Sequence, residues 1–281
     1  MKKGDFIMKH CNRRMVMSSI VLPVLIIIIF ISGCVSHVKE LREAQDHFNT
    51  AASIENQIKA GDVSGDRIVL QARASTSYHL ALNTASGLLQ NKKQDLQDDG
   101  LLGSAYSLKA LSEWRIGNYA AAIATLNVVN RSPDIQSQLF PRDMALIQAL
   151  SGLIKIDQAA LHMTAGDYEY ENIRTLLIEA MEDIDSGMTL ARAGDRVRLY
   201  LALARLTAVK NWADLRGEPE KYAKDVASDF NKIQEISQWC RYAVPAWDAF
   251  EGEVTRIDEQ EALLLNQYWG KRLAIIETCP E

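Results

Sequence analysis

The chain has 281 residues, 48% hydrophobic and 24% charged, with a formal net charge of −5, six Pro and 15 Gly. That balance excludes a disordered or collagen-like polypeptide. Its four cysteines are too few for a mini-domain built on disulfides.

Lys2, Lys3, Lys9, Arg13 and Arg14 form a basic head containing one acid, Asp5, and an uncharged apolar run follows from Val16 to Ile31. This run falls short of the about 20 apolar residues that a spanning helix needs. A basic head, a short apolar core and small residues before a cut site predict a secretory signal peptide over residues 1–33, with an uncleaved membrane anchor as the alternative. Ile31-Ser32-Gly33-Cys34, placed directly after the core, resembles the lipobox of bacterial lipoproteins. The resemblance implies that Cys34 receives a diacylglycerol thioether, that the peptide is cut before it, and that the new amine is acylated. Two or three acyl chains hold a protein to a membrane stably where one does not. Val35 and Ser36 follow, with no Asp retention signal, so the resemblance implies an outer-membrane lipoprotein facing the periplasm. Retention in the inner membrane is the alternative.

Residues 1–33 hold five Lys or Arg and one Asp, so their removal takes the net charge from −5 to −9. An acidic chain lacks the basic stripe that nucleic acid requires, and it is repelled by anionic lipid surfaces. Cys11 leaves with the signal and Cys34 is consumed by lipid. Cys240 and Cys279 remain in a compartment that favours oxidation, and we expect them to pair. Two buried free thiols are the alternative, since the sequence does not show their proximity.

Helical spacing dominates residues 34–281, expected to form a single periplasmic domain because no Pro/Gly/Ser-rich linker divides them. Val38, Leu41, Ala44, Phe48, Ala51 and Ile58 mark one helix that stops at Gly61. Ile68, Ala74, Tyr78, Ala81, Ala85 and Leu88 line the inner face of a second, from about Asp66 to Gln90. Polar residues Asn91 to Asp99 break the pattern. Further helices are predicted over Leu101–Ile116, Tyr119–Asn130, Asp143–Ala165, Tyr168–Ser186, Asp195–Leu215, Pro219–Cys240 and Pro245–Gly270, with both prolines in first turns. Strands have no candidates.

Tyr106 to Pro133 is similar to a tetratricopeptide repeat, a 34-residue helix–turn–helix unit. Ala110 and Ala122 match the small residues where the two helices touch, Gly117-Asn118-Tyr119 the turn, and Ile123 the following aliphatic. Lys109, Glu113 and Val129 depart from the pattern, and Pro133 arrives one residue early. Ala145 to Gly152 and Tyr200 to Trp212 resemble first repeat helices more weakly. The fold expected is all-α: a degenerate solenoid of such repeats, or a compact bundle built from helix pairs.

Catalytic motifs are absent: there is no GxSxG, HExxH, CxxC or GxxxxGK[ST]. His10, His37, His47, His79 and His162 are scattered without metal spacing, so no metal or cofactor is expected; His79 reads as a packing histidine. Asp95 to Gly100 begins like a calcium loop, but position twelve is Tyr106 instead of the Glu required. Glu179, Glu182, Asp183 and Asp185 read as a solvated helix face. Eight of the 20 aromatics fall between Tyr222 and Trp269, where they are expected to fill the core of a terminal cap.

The reading is a non-enzymatic, lipid-tethered scaffold that binds a protein partner of the envelope through a helical-repeat surface. Tyr106, Glu113 and Arg115 on the first repeat helix are its candidate binding residues. The alternative is a small-molecule-binding accessory similar in outline to the helical lipoproteins of TRAP-type solute transporters. A glycan-processing enzyme comes third.

Overall fold

The computed structural model describes residues 24–60, 66–166, 169–215 and 230–273, together with 276 and 279; side chains are described from residue 36 to 58 in the first helix and from 236 in the tenth. Among these residues there are eleven helices and no strand. They are α1 (Val24–Ala60), α2 (Arg67–Asn91), α3 (Lys93–Asp98), α4 (Leu102–Arg115), α5 (Tyr119–Arg131), α6 (Pro133–Gln136), α7 (Pro141–Ala165), α8 (Tyr170–Leu190), α9 (Arg196–Asp214), α10 (Phe230–Val254) and α11 (Glu259–Arg272). The all-helical class expected from the sequence is the class found.

Local chemistry sets most boundaries. Asp66, Asn118, Asp195 and Asp258 each cap the helix that follows by accepting a backbone N–H from its first turn. Gly117 and Gly166 end α4 and α7 in the left-handed region, at φ +80° and +70°, where a side chain is strained. Pro133 and Pro141 begin α6 and α7, where the missing N–H has no intrahelical acceptor to lose.

Several elements differ from those expected, α8 running on to Leu190 beyond Ser186 among them. Helix α1 begins at Val24, so the backbone at Cys34 lies inside a helix that runs on to Ala60. The polar stretch after Asn91 carries the short α3, pinned by fully buried Leu96. Pro133–Gln136, for which no element was expected, forms the short α6. Pro245 does not start a helix but sits inside α10. An interior proline costs about 3 kcal/mol or more. Here Trp239, Ala243, Ala246 and Phe250 are buried on either side of it, and the Pro245 carbonyl accepts from Arg205 of α9, 3.2 Å. The break comes at Thr255–Asp258, where Asp258 caps α11. The start expected at Pro219, Tyr222, residues 1–23 of the expected signal peptide and the side chains of Cys34 and Phe230 lie outside what is described.

Helices pack in chain order: α1 on α2, α2 on α4, α4 on α5, α7 on α8, α8 on α9 and α9 on α10. The leading helices of the four pairs also touch in succession, α1 to α4, α4 to α7 and α7 to α9, making a continuous row. The core helix α7 is long and apolar enough to cross a membrane by length and composition. Its apolar face, with Ala145, Ala149, Leu150, Leu153 and Ile154, is nonetheless buried against its neighbours. It meets α8 closely: a Cβ on Gly152 would lie 2.4 Å from the Ala180 carbonyl oxygen, and one on Gly187 2.5 Å from that of Ala145. These reciprocal contacts fix the pair as antiparallel and in one register.

At the far end, Trp239, Phe250 and Trp269 are buried in the core. Trp239 donates to the Val209 carbonyl, 3.1 Å, and Cys240 is joined to Cys279 by a disulfide with Cα atoms 5.6 Å apart.

Candidate functional site

A polar seam runs along the row of leading helices, and its hub is Arg115 at the end of α4. The Arg115 guanidinium lies 3.3 Å from the Glu55 carboxylate of α1 and 4.2 Å from the centre of the Trp114 ring. Tyr78 of α2, 1% exposed, donates its hydroxyl to the same Glu55 oxygen at 3.0 Å. Trp114 donates to Asp157 of α7 at 2.7 Å. Tyr200 of α9 completes the seam electrostatically through Arg115 and Asp157.

The electrostatics are those of a desolvated, donor-rich site. Burial pushes the Tyr78 phenol far up; Arg115 opposes this and Glu55 adds to it. Burial likewise raises Tyr200, against Arg115 and with Asp157 and Glu55. Tyr119 rises through burial and the nearby Asp157. Burial alone would lower Arg115, but Tyr200, Tyr78, Glu55 and Asp157 outweigh it, so the guanidinium is held charged. The phenols thus stay protonated donors at neutral pH, suited to hydrogen bonding and unsuited to acting as bases. The Arg115 Nε–H is buried and has no acceptor.

Beside the seam, between α1, α2 and α4, lies a crevice of about 290 Å³ lined by Glu55, Ile58, Arg67, Gln71, Ala74, Ser75, Tyr78 and Arg115. Six of the eight lining residues are polar or charged, and Arg67, Gln71 and Ser75 form its exposed rim.

The three candidate residues on α4 do not share one surface. Tyr106 is half-buried against the main core. Glu113 is 4% exposed, its two oxygens taken by Lys109 at 2.5 Å and Thr125 at 2.6 Å, so it braces α4 against α5 inside the protein. Only Arg115 reaches the crevice. Helical geometry accounts for the split: residues seven apart share a face, whereas residue 115 lies about 200° round from 113.

Glu55, Arg67, Asp157 and Tyr200 were not singled out from the sequence. Asp157 carried a signal, being a carboxylate within the apolar run of the core helix, where a charge requires a partner. The other three sit on ordinary amphipathic helices and gain meaning only from the fold.

Elsewhere the acidic face of α8 is more engaged than expected. Lys155 of α7 bridges Glu179 and Asp183 at 3.0 Å each, and Arg205 of α9 meets Asp185 at 3.0 Å. His79 is exposed instead of packed. Among the described residues the buried histidine is His37, bonded through Nε2 to Asp99 at 2.7 Å. Among the described residues no three His, Cys, Asp or Glu side chains gather to hold a metal ion.

No family model, curated protein or solved structure matches the chain.

Proposed function

We propose that this chain is a lipid-anchored adaptor of the bacterial envelope, tethered through Cys34 to the outer membrane and binding a protein partner along its row of leading helices. The observation that carries the reading is the seam itself. Glu55, Arg115, Asp157 and Tyr200 come from four successive leading helices, α1, α4, α7 and α9, are partly accessible, and influence one another electrostatically. Helix pairs whose leading members line one face are the arrangement by which degenerate tetratricopeptide-like stacks present a binding surface. The turn at Gly117 and Asn118, with Ala110 and Ala122 fully buried at the helix contact, supports that likeness in the α4–α5 pair.

The tether supplies effective concentration. A domain confined to a thin layer beside its partner needs only modest contacts to remain bound. Phenols and a guanidinium held by their neighbours lose little freedom on contact, which suits such a surface.

Cross-linked affinity purification of the tagged full chain from membranes, with Cys34→Ala as control, tests the reading. A defined envelope protein recovered with the wild type and weakened in the control is the expected result. Recovery of the chain alone from both would overturn it.

A further inference from the structure

We propose that the crevice between α1, α2 and α4 is a carboxylate pocket, taking the C-terminal carboxylate of a peptide chain. The inference rests on the row of leading helices being the partner-binding face, and it names the group recognised where α1 and α4 of that row meet α2.

Hydrogen-bonding capacity in the crevice is unbalanced. Arg67, Arg115, Gln71 and Ser75 offer donors, while Glu55 is the lining carboxylate and one of its oxygens already accepts from both Tyr78 and Arg115. Arg115 lines the crevice with its guanidinium, held at Nη1 by Glu55, and a guanidinium is suited to pairing with carboxylate oxygens. Among the described residues the fixed charge of the lining is +1, from two arginines against one glutamate. A single negative charge neutralises it, which favours a carboxylate over a doubly charged phosphate. The volume, about 290 Å³, lies at the lower limit for ligand pockets, about 300 Å³. It therefore accommodates a chain end and its last side chain. The rest of the peptide would leave along the seam towards Asp157 and Tyr200.

Arg67 is the position to test, because it is exposed on the rim and no salt bridge among the described residues uses it. The purified full chain in detergent is titrated with N-acetyl tri-alanine bearing a free C-terminal carboxylate, with the same peptide as its C-terminal amide, and with inorganic phosphate. Binding is followed by tryptophan fluorescence, since Trp114 stacks on Arg115, and by ligand-observed NMR. The free acid is expected to bind at least tenfold more tightly than the amide or phosphate. Arg67→Gln should weaken it about tenfold, on the scale of a charge-assisted hydrogen bond. Glu55→Gln, which raises the lining charge to +2, should tighten it. Equal binding of the amide, phosphate binding as tight as the acid, or no binding of the acid at millimolar concentration to a folded protein would each overturn the proposal. If membranes yield the envelope partner while the free acid does not bind, the carboxylate pocket fails and the adaptor stands. If the peptide binds and no partner is captured, the pocket stands and the adaptor fails.

Discussion

The same substitution should have opposite effects at two glycines of this protein. Gly87 and Gly152 both lie inside long helices, α2 and α7, where alanine is favoured over glycine by about 0.5–1 kcal/mol if its methyl has room. Nothing lies within 4 Å of a Cβ built on Gly87. Gly87→Ala should therefore stabilise by about that amount. At Gly152 the new Cβ would meet the Ala180 carbonyl oxygen at 2.4 Å and the Asp183 Cβ at 2.9 Å, where ordinary contact begins at 3.4 Å. The obstruction is backbone, so it yields only if α7 and α8 move apart by roughly an ångström, loosening fully buried Ala149, Met181 and Ile184. Overpacking of this kind costs about 1–3 kcal/mol, and a backbone clash belongs at the top of that range. After the gain in helix propensity, Gly152→Ala should destabilise by about 2 kcal/mol. In a chain of this size each kcal/mol moves the melting temperature by about 2–4 °C. Thermal unfolding followed by circular dichroism should thus show Gly87→Ala melting slightly above the wild type and Gly152→Ala about 4–8 °C below it. A Gly152→Ala protein as stable as the wild type would refute the close approach of α7 and α8.

Glu113→Ala removes the partner of Lys109 and Thr125 within the α4–α5 contact. Losing one side of a buried pair costs about 3–5 kcal/mol, and with Lys109 25% exposed we expect about 2–3 kcal/mol by urea denaturation, where a loss below the error of the method would contradict an internal brace. Reducing the Cys240–Cys279 bridge, which spans 39 residues, should lower stability by about 4 kcal/mol on the loop-entropy estimate; an unchanged melting temperature under reducing agent would show otherwise. Asp143 is held above the ordinary carboxylate range by burial, with a hydrogen bond from Ser104 opposing. Its raised native pKa makes the native state bind the proton more tightly than the unfolded chain, so its cost is full above that pKa and is relieved as pH falls through it. Asp143→Asn should therefore gain stability over the wild type as pH rises from about 4 through the raised pKa, and a difference between the two that stays constant with pH would contradict the assignment.

The helical class was legible because buried positions repeat at helical spacing. Five of the six residues read as the inner face of α2 are buried, and the exception, Ile68, is 74% exposed in the first turn, before α2 reaches the core. The turn at Gly117 and Asn118 was legible for a different reason: a left-handed glycine and a side-chain cap are local chemistry. Pro245 was misread because a rule about isolated helices was applied where tertiary packing around Ala243, Ala246 and Phe250 prevails. The crevice was mostly illegible. It draws Glu55, Arg67, Tyr78 and Arg115 from three helices, and only their arrangement in space distinguishes them from other residues of amphipathic helices. Glu113 and Arg115 part company for a helical reason: residues two apart lie about 200° round the axis from each other, so one enters the core where the other reaches the crevice.

The face through which the partner binds can be read directly by site-specific photo-cross-linking in the native envelope. A photoreactive residue is placed at Gln71 on the rim of the crevice or at Tyr200 on the row of leading helices, and at exposed Val128 on α5, away from both, as the control. Adducts to one envelope protein from positions 71 and 200, and none from 128, are the predicted result. Adducts from 128 alone, or equally from all three positions, would contradict binding along the row of leading helices.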